Sequence, residues 1–191
     1  MQATLLGILG LALLGTLHAQ DSIPVQADFQ QDKLTGRWYS IGLASNSNWF
    51  KEKRHLMKMC TTIISATADG NLEVTSTYPK LDKCHKFELL FQQSGQAGHY
   101  VGLSGHLWGP LGAQEKRDLH VMDTDYSHYA VLHEAQHSET EPSTALQLLT
   151  REQDVSPQLL QKFMELIPTM GLTEDMLAIL PKSGEWPEGT G

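Results

Sequence analysis

The sequence predicts an all-β fold in which eight antiparallel strands form an up-and-down barrel and one α-helix near the carboxyl end flanks it. Between residues 34 and 151, short segments alternate apolar and polar side chains with the period of two that a strand imposes. Turn residues separate these segments at short, regular intervals. Eight such strands close naturally into a small barrel with room for one ligand, and a sandwich of the same strands is the alternative.

The strands are delimited by turn chemistry. Asp69-Gly70 is a strong hairpin signal, and Pro79 ends the strand that follows it. Residues 106–116 are rich in glycine and proline and are predicted to form a loop. The predicted strands span residues 34–44, 57–66, 72–78, 84–92, 99–103, 119–122, 129–134 and 145–151.

A helix is predicted to start at Ser156-Pro157, because serine is a good N-cap and proline suits the first helical position. Apolar residues then recur at helical spacing and form a stripe that must pack on the barrel. The stripe consists of Leu159, Leu160, Phe163, Leu166 and Ile167. Gly171 is expected to end the helix, and residues 173–180 predict either a short helical turn or an added edge strand.

The amino end has the pattern of a secretory signal peptide. An apolar run from Leu5 to Leu17, interrupted only by glycines and one threonine, precedes the small residue Ala19. The run is shorter than the ~20 residues that span a bilayer. We therefore expect a signal peptide over residues 1–19 and one secreted, extracellular domain over residues 20–191.

The balance of acidic and basic residues indicates which classes of partner the chain can bind. The chain has 14 lysines and arginines and 22 aspartates and glutamates, a net charge of −8, which does not suit a phosphate-binding surface. We expect no nucleic-acid partner, no stable membrane insertion and a monomer. The stretch Lys51-Glu52-Lys53-Arg54-His55, at the presumed mouth of the barrel, is predicted to attract an anionic head group of a ligand, or simply to be a solvated loop.

Strand alternation brings several small polar side chains toward one space. Trp38, Ser40, Gly42 and Ala44 are predicted to share one face of the first strand, which suits a cup better than a solid core. By the same alternation, Cys60 and Thr62 share a face of the second strand, and Ser76 faces the same cavity from the third. The residues predicted to line the ligand space are Trp38, Ile64, Val74 and Tyr78.

Cys60 and Cys84 are the only cysteines. In a secreted chain two cysteines suggest a disulfide, but sequence alone does not establish the required geometry. Burial of a thiol disfavours the anion, whereas hydroxyl donors aimed at the sulfur favour the thiolate. Cys60 is therefore either an activated nucleophile, an inert buried side chain or half of a disulfide.

Three short motifs, in order, resemble the sequence signatures of the lipocalins. They are Gly36-Arg37-Trp38 near the start, Thr124-Asp125-Tyr126 late in the barrel and Arg151 at the end of the last strand. The resemblance covers nearly the whole mature chain. It implies that Trp38 closes the barrel floor and that Arg151 stacks over it in a cation–π contact. Gly36, Thr124, Asp125, Tyr126 and Arg151 are then structural residues.

Within the family, residues 36–49, 58–60, 72–78 and 123–132 are most similar to the lipocalin-type prostaglandin D synthases. The resemblance implies prostaglandin-H2 D-isomerase activity, with Cys60 as the nucleophile. It implies supporting hydroxyls at Ser40, Thr62 and Ser76, and no cofactor. The expected partner is a small lipophilic molecule such as a prostanoid, retinoid or fatty acid. The alternative is a non-catalytic extracellular carrier of such molecules.

The sequence departs from that branch of the family at three places. The family's disulfide would pair Cys84 with a cysteine near the carboxyl end, where this chain has Trp186 instead, so Cys84 is expected to be unpaired or available to another chain. Leu149 stands where the enzymes have a tyrosine that lines the pocket, and the loop around Trp108 is longer. These departures concern the cavity lining and hence the substrate.

Residues 133–137 match the H-E-x-x-H pattern of zinc proteases. That pattern works on a helix, which places both histidines on one face. Here it falls at the end of a predicted strand, where His133 and His137 would lie roughly 13 Å apart. We therefore predict no metal site.

Overall fold

The computed structural model describes residues 22–80, 83–105, 114–138 and 141–182, and within these ranges nine antiparallel strands form one sheet. The strands are β1 (Gly36–Ser45), β2 (Cys60–Ala66), β3 (Leu72–Lys80), β4 (Lys83–Gln93), β5 (His99–Gly105), β6 (Gln114–Thr124), β7 (Tyr129–His137), β8 (Ser143–Thr150) and β9 (Leu177–Ile179). The helices are α1 (Gln31–Leu34), α2 (Asn48–Lys53) and α3 (Pro157–Leu166), with 3₁₀ turns at Arg54–Leu56, Pro168–Met170 and Glu174–Met176. The predicted signal peptide lies outside the described residues.

The sheet closes into a barrel through β1. Strands β2 to β8 pair in sequence order, and β1 pairs with both β8 and β2. The predicted eight-stranded antiparallel barrel with a flanking helix is confirmed.

The predicted loop over residues 106–116 was too long at its carboxyl end, because β6 already begins at Gln114 and runs opposite β5. No helix among the described residues is long and apolar enough to cross a membrane.

A bulge in β1 corrects the prediction for its inner face. Ser40 pairs with Leu149 and Gly42 with Leu148, so Ile41 is an extra residue that shifts the register. Beyond it, Gly42 and Ala44 turn outward: a Cβ on Gly42 would lie 2.9 Å from Phe163 of α3. The prediction that Gly42 and Ala44 share the cavity face with Trp38 and Ser40 was therefore wrong.

Helix α3 covers the outside of the barrel. Its N-cap is Ser156, whose hydroxyl accepts a hydrogen bond from the Leu159 amide at 3.2 Å. Phe163 is buried against the outer faces of β1, β7 and β8. The α-helix ends before Pro168 rather than at Gly171, since proline lacks the N–H that would continue the helix. A 3₁₀ turn fills the interval.

The segment after α3 contains both of the predicted alternatives. Glu174–Met176 forms a 3₁₀ turn, and Leu177–Ile179 then adds strand β9 to β1, beyond the point at which β1 has left β2. The first half of β1 thus pairs with β2, and its second half pairs with β9. This arrangement leaves Cys60, the first residue of β2, directly opposite Ser40.

Candidate functional site

One end of the barrel is closed by Trp38 and Arg151. The guanidinium carbon of Arg151 lies 3.6 Å from the centroid of the Trp38 ring. Trp38 is fully buried, and its indole N–H donates to the Leu34 carbonyl at 2.8 Å. The guanidinium donates to the carbonyl oxygens of Lys33, Thr35, Arg37 and Tyr126 at 2.9 to 3.2 Å. The end of the barrel where β1 begins is therefore sealed by a stacked pair that is hydrogen-bonded to five backbone carbonyls.

Gly36 is required by this arrangement. Its φ is +110°, a region that side chains disfavour, and a Cβ there would lie 2.9 Å from Nη1 of Arg151. The turn between β6 and β7 also contributes to the closed end of the barrel. Thr124 donates its hydroxyl to the Tyr129 carbonyl at 2.6 Å, and Asp125 accepts from the amides of His128 and Tyr129 at 2.7 and 3.0 Å.

Those hydrogen bonds hold the turn in a shape with a positive φ of 64° at Tyr126, which directs its carbonyl oxygen to Nε of Arg151 at 3.0 Å. The Tyr126 hydroxyl also accepts from the Gln30 amide at 2.9 Å. The structure thus brings Thr124, Asp125 and Tyr126 together with Gly36 and Arg151 in one structural unit.

The four residues suggested for catalysis lie on neighbouring strands. Cys60 of β2 is directly opposite Ser40 of β1. One pair further toward the closed end, Thr62 is directly opposite Trp38 on one side and Ser76 on the other. These residues form two adjacent rows across β1, β2 and β3, on the face that contains Trp38.

The hydroxyl groups of the site are buried and hydrogen-bonded. Ser40, Thr62 and Ser76 are 2, 4 and 8 % exposed. Oγ1 of Thr62 and Oγ of Ser76 lie 3.0 Å apart, and either can be the donor. Oγ of Ser40 accepts from the side-chain amide of Gln147 at 2.7 Å. Because Gln147 occupies an acceptor position of Ser40, the Ser40 hydrogen is free to turn toward another acceptor.

Cys60 is a free, half-buried thiol, so the disulfide with Cys84 is not formed. Burial raises the pKa of the Cys60 thiol to about 12. Its sulfur lies 3.6 Å from the Lys58 carbonyl oxygen, to which it donates. In this arrangement the thiol is protonated at neutral pH. Cys84 lies in β4 opposite Pro79, and its side chain is outside the described residues.

The predicted lining residues occupy the third row and its surroundings. Ile64 is opposite Gly36 and Val74, and both apolar side chains pack with Trp38 in one cluster inside the barrel. Tyr78 lies in β3 opposite His85, and its side chain is outside the described residues. Trp38 is fully buried and forms the floor below the hydroxyl groups.

Two residues of β8 complete the surroundings of Ser40. Leu149 is directly opposite Ser40 and belongs to the inner cluster, so an apolar side chain, and not a tyrosine, stands beside Ser40. Gln147 was not predicted as a site residue. The available signal was a single amide two residues before Leu149, on the same inward face of an otherwise apolar strand.

The H-E-x-x-H residues lie in strand β7 and not on a helix. His133 is buried on the outer face, and His137 is hydrogen-bonded to Asp118 at 2.7 Å. Asp118 also contacts His99 at 2.8 Å, whose ring stacks on that of His120. These histidines belong to a cluster on the outside of β5, β6 and β7, away from Cys60.

Comparison with known proteins agrees with this architecture. The model of the lipocalin / cytosolic fatty-acid binding protein family matches residues 35–184. A "Lipocalin" of Rhinella marina is 40 % identical over 173 residues, covering 91 % of each chain. The "Prostaglandin-H2 D-isomerase" of Equus caballus is 38 % identical over 191 residues, covering 94 % of each chain.

A solved structure supports the fold. The solution structure of lipocalin 12 from rat epididymis superposes with a TM-score of 0.75 at 22 % identity, and the match covers 88 % of this chain and 94 % of that one. This chain therefore belongs to the lipocalin / cytosolic fatty-acid binding protein family.

Proposed function

We propose that this chain is a secreted lipocalin that binds small lipophilic molecules inside its barrel and isomerises prostaglandin H2 to prostaglandin D2. The observation that carries the proposal is the placement of Cys60 directly opposite the buried hydroxyl of Ser40, next to the Thr62 and Ser76 pair. Its relatives include proteins named prostaglandin-H2 D-isomerase at 38 % identity over most of the chain. Secretion is supported by the apolar run near the amino end.

The reaction requires one nucleophile and groups that stabilise an oxyanion. The Cys60 thiolate attacks one oxygen of the endoperoxide, which forms an S–O bond, breaks the O–O bond and leaves the other oxygen as an alkoxide. Loss of the proton from the carbon bearing the sulfur-bound oxygen forms the ketone and expels the thiolate. The alkoxide takes up a proton to become the hydroxyl. Substrate and product are isomers, so no cofactor is needed.

The hydroxyl groups have two tasks in this scheme. A thiol whose pKa is raised to about 12 by burial is a poor nucleophile, so the thiolate must be stabilised by donors as it forms. The sulfur donates to the Lys58 carbonyl, and it must give up this bond before it can accept hydrogen bonds from the hydroxyls of the two rows. Ser40, with its oxygen already bonded to Gln147, can donate its hydrogen. Within the Thr62–Ser76 pair one hydroxyl donates to the other, and the remaining hydrogen can then be donated to the developing alkoxide.

A non-catalytic carrier is the second candidate. Two observations favour it: burial raises the pKa of Cys60 to about 12, which disfavours the reactive thiolate, and Leu149 places an apolar side chain opposite Ser40. A carrier of retinoids or fatty acids needs the apolar cluster around Ile64 and Val74 and a closed floor at Trp38, and it needs no reactive thiol.

Turnover of prostaglandin H2 by the purified protein separates the two candidates. The wild type, Cys60→Ala and Cys60→Ser are compared after subtraction of spontaneous breakdown, and retinoic acid binding is followed by tryptophan quenching in each. We expect prostaglandin D2 from the wild type alone and equal retinoic acid binding in all three. A wild type that binds retinoic acid but forms no product above background would establish the carrier. Product formed equally by Cys60→Ala would exclude Cys60 as the nucleophile.

A further inference from the structure

The connection between β1 and β2 presents an unusual surface at the entrance end of the barrel. We call residues 48–58 the mouth segment. They include α2 and the 3₁₀ turn that follows it. Since β1 begins at the end closed by Trp38 and Arg151, its connection to β2 lies at the opposite end. Cys60 begins β2 two residues after the mouth segment.

The inner side of the mouth segment is anchored. Phe50 is 2 % exposed, and Met57 packs against the outer cluster of the barrel. Arg54, between them, donates from its guanidinium to the Leu177 carbonyl of β9 at 3.0 Å. The Ser47 hydroxyl caps α2 by accepting from the Phe50 amide at 3.3 Å. The orientation of the outer side is therefore fixed by packing and hydrogen bonds.

The outer side exposes large apolar groups. Trp49 is 51 % and Leu56 65 % exposed, the two highest values among the large apolar side chains that the structure describes. Trp49 and Lys53 have the spacing i and i+4 within α2, which places them on one face of that helix, and Leu56 follows at the end of the 3₁₀ turn. Burying Trp49 and Leu56 in another apolar phase would be favourable.

The charge of the mouth segment is opposite to that of the chain. It contains four basic residues, Lys51, Lys53, Arg54 and Lys58, and one acidic residue, Glu52, whereas the whole chain has a net charge of −8. The three lysines are exposed. Two acidic residues lie nearby: Glu141 accepts from the Asn48 amide at 3.1 Å, and Asp175 bonds to the Thr173 hydroxyl and interacts electrostatically with Lys51 and Arg54. Lys53 and Lys58 extend the positive charge beyond this contact.

We propose that the mouth segment is a docking surface for the anionic leaflet of a phospholipid membrane. Trp49 and Leu56 enter the interface, while Lys51, Lys53 and Lys58 lie against the anionic head groups. A tryptophan and a leucine surrounded by lysines are the combination that binds peripherally at such an interface. Docking is reversible, and it turns the entrance of the barrel toward the lipid from which a lipophilic ligand can move. The proposal stands whether or not Cys60 is catalytic.

Vesicle flotation tests the proposal. The purified protein is mixed with vesicles of phosphatidylcholine alone, or of phosphatidylcholine with a minor fraction of phosphatidylserine, at low and at high salt. We expect binding only to the anionic vesicles, and its loss at high salt, where charges are screened beyond about 3 Å. Equal binding to both kinds of vesicle, or none to either, would overturn the proposal.

Matched charge variants test whether vesicles bind at the mouth segment. Lys51→Glu with Lys53→Glu should weaken anionic binding at least about twentyfold, because each basic residue near the leaflet contributes about fivefold. The control, Lys33→Glu with Arg37→Glu, makes the same charge change at the closed end and should bind at least about twentyfold more tightly than the mouth variant. Equal binding by these two charge variants would refute the assignment.

Apolar variants complete the test. Trp49→Ser with Leu56→Ser should bind anionic vesicles less tightly than Ile63→Ser with Leu90→Ser, which removes exposed apolar groups from the side of the barrel. If Trp49→Ser with Leu56→Ser bound anionic vesicles as tightly as Ile63→Ser with Leu90→Ser, the apolar contribution would be refuted. The mass of the protein in solution is measured in parallel. A dimer that dissociates in Trp49→Ser with Leu56→Ser would identify a second copy as the occupant and overturn the proposal.

Discussion

The guanidinium of Arg151 stacks on the Trp38 ring at 3.6 Å, and at the same time its nitrogens donate to four backbone carbonyls from two separate segments. The segments are α1 with the start of β1, and the β6–β7 turn, while the arginine itself directly follows β8. One side chain thus joins the first and last strands of the barrel at its closed end.

Arg151→Met should therefore destabilise the protein well beyond the effect of a surface substitution. A shielded cation–π contact contributes about 2 kcal/mol, and each lost hydrogen bond costs about 1 kcal/mol. Because Arg151 is only half-buried, water can replace part of these contacts in the variant. We therefore expect the free energy of unfolding, measured by urea denaturation, to fall by about 3 kcal/mol, roughly half of the full sum. Arg37→Met is the control, because only its backbone carbonyl contacts Arg151, and it should change stability by less than about 0.5 kcal/mol. Equal stability of the two variants would contradict this account.

Gly42→Ala should loosen helix α3 from the barrel. The added methyl would lie 2.9 Å from Cε1 and 3.3 Å from Cδ1 of Phe163, whose ring is fully buried. Overpacking of this kind costs about 1–3 kcal/mol. Gly95→Ala is the control, since nothing lies within 4 Å of its Cβ position. Phe163→Leu in the Gly42→Ala background should recover part of the loss relative to the two single substitutions, and simple additivity would argue against the contact.

Gln147 is predicted to position the Ser40 hydroxyl. Gln147→Leu removes the donor at 2.7 Å, and Gln147→Glu replaces it with an acceptor that competes with the Cys60 sulfur for the Ser40 hydrogen. Both should lower kcat for prostaglandin H2 about tenfold with little change in retinoic acid binding. Both should also slow alkylation of Cys60 by iodoacetamide in a Cys84→Ser background, since Ser40 would no longer be held in position to donate to the thiolate. Unchanged alkylation in both variants would show that Gln147 has no influence on the sulfur.

The pH dependence of stability should be set by the outer histidine cluster. Burial, together with the charges of His99 and His133, lowers the pKa of His120 to about 4, and burial also lowers the pKa of His133. Asp118 opposes these shifts. Nδ1 of each of the two histidines is buried and has no hydrogen-bond partner, so protonation has no compensating acceptor.

The direction in which stability changes with pH follows from the linkage between proton binding and folding. A histidine with a lowered folded pKa binds protons more readily in the unfolded chain, so stability is lost as the pH falls from about 6.5 toward 4. Because His120 is partly exposed, we expect a loss of about 1–2 kcal/mol between pH 7 and pH 5, measured by urea denaturation at each pH. His120→Phe should reduce the slope, and His55→Gln at the mouth should not. The pKa of Asp118 is lowered, against the effect of burial, by its bonds to His99 and His137, so its contribution is lost only at lower pH.

The sequence by itself determined the barrel. Eight alternating segments separated by turn residues bury one face each when the sheet closes on itself, and the capped apolar stripe after Ser156 buries its side chains against that sheet. These are local patterns, readable without knowing which strands are neighbours. The same patterns placed Cys60, Thr62 and Ser76 on corresponding faces, because the period of a strand is fixed and no irregularity interrupts β2 or β3.

Tertiary structure decided what alternation cannot encode. The bulge at Ile41 reversed the faces of Gly42 and Ala44, since one unpaired residue shifts every side chain that follows it. The approach of Gln147 to Ser40 depends on the register between β1 and β8, which are 107 residues apart along the chain at this contact. The high pKa of Cys60 depends on the atoms that surround the sulfur. Such relationships arise when distant strands pack, so they exist only in the folded barrel.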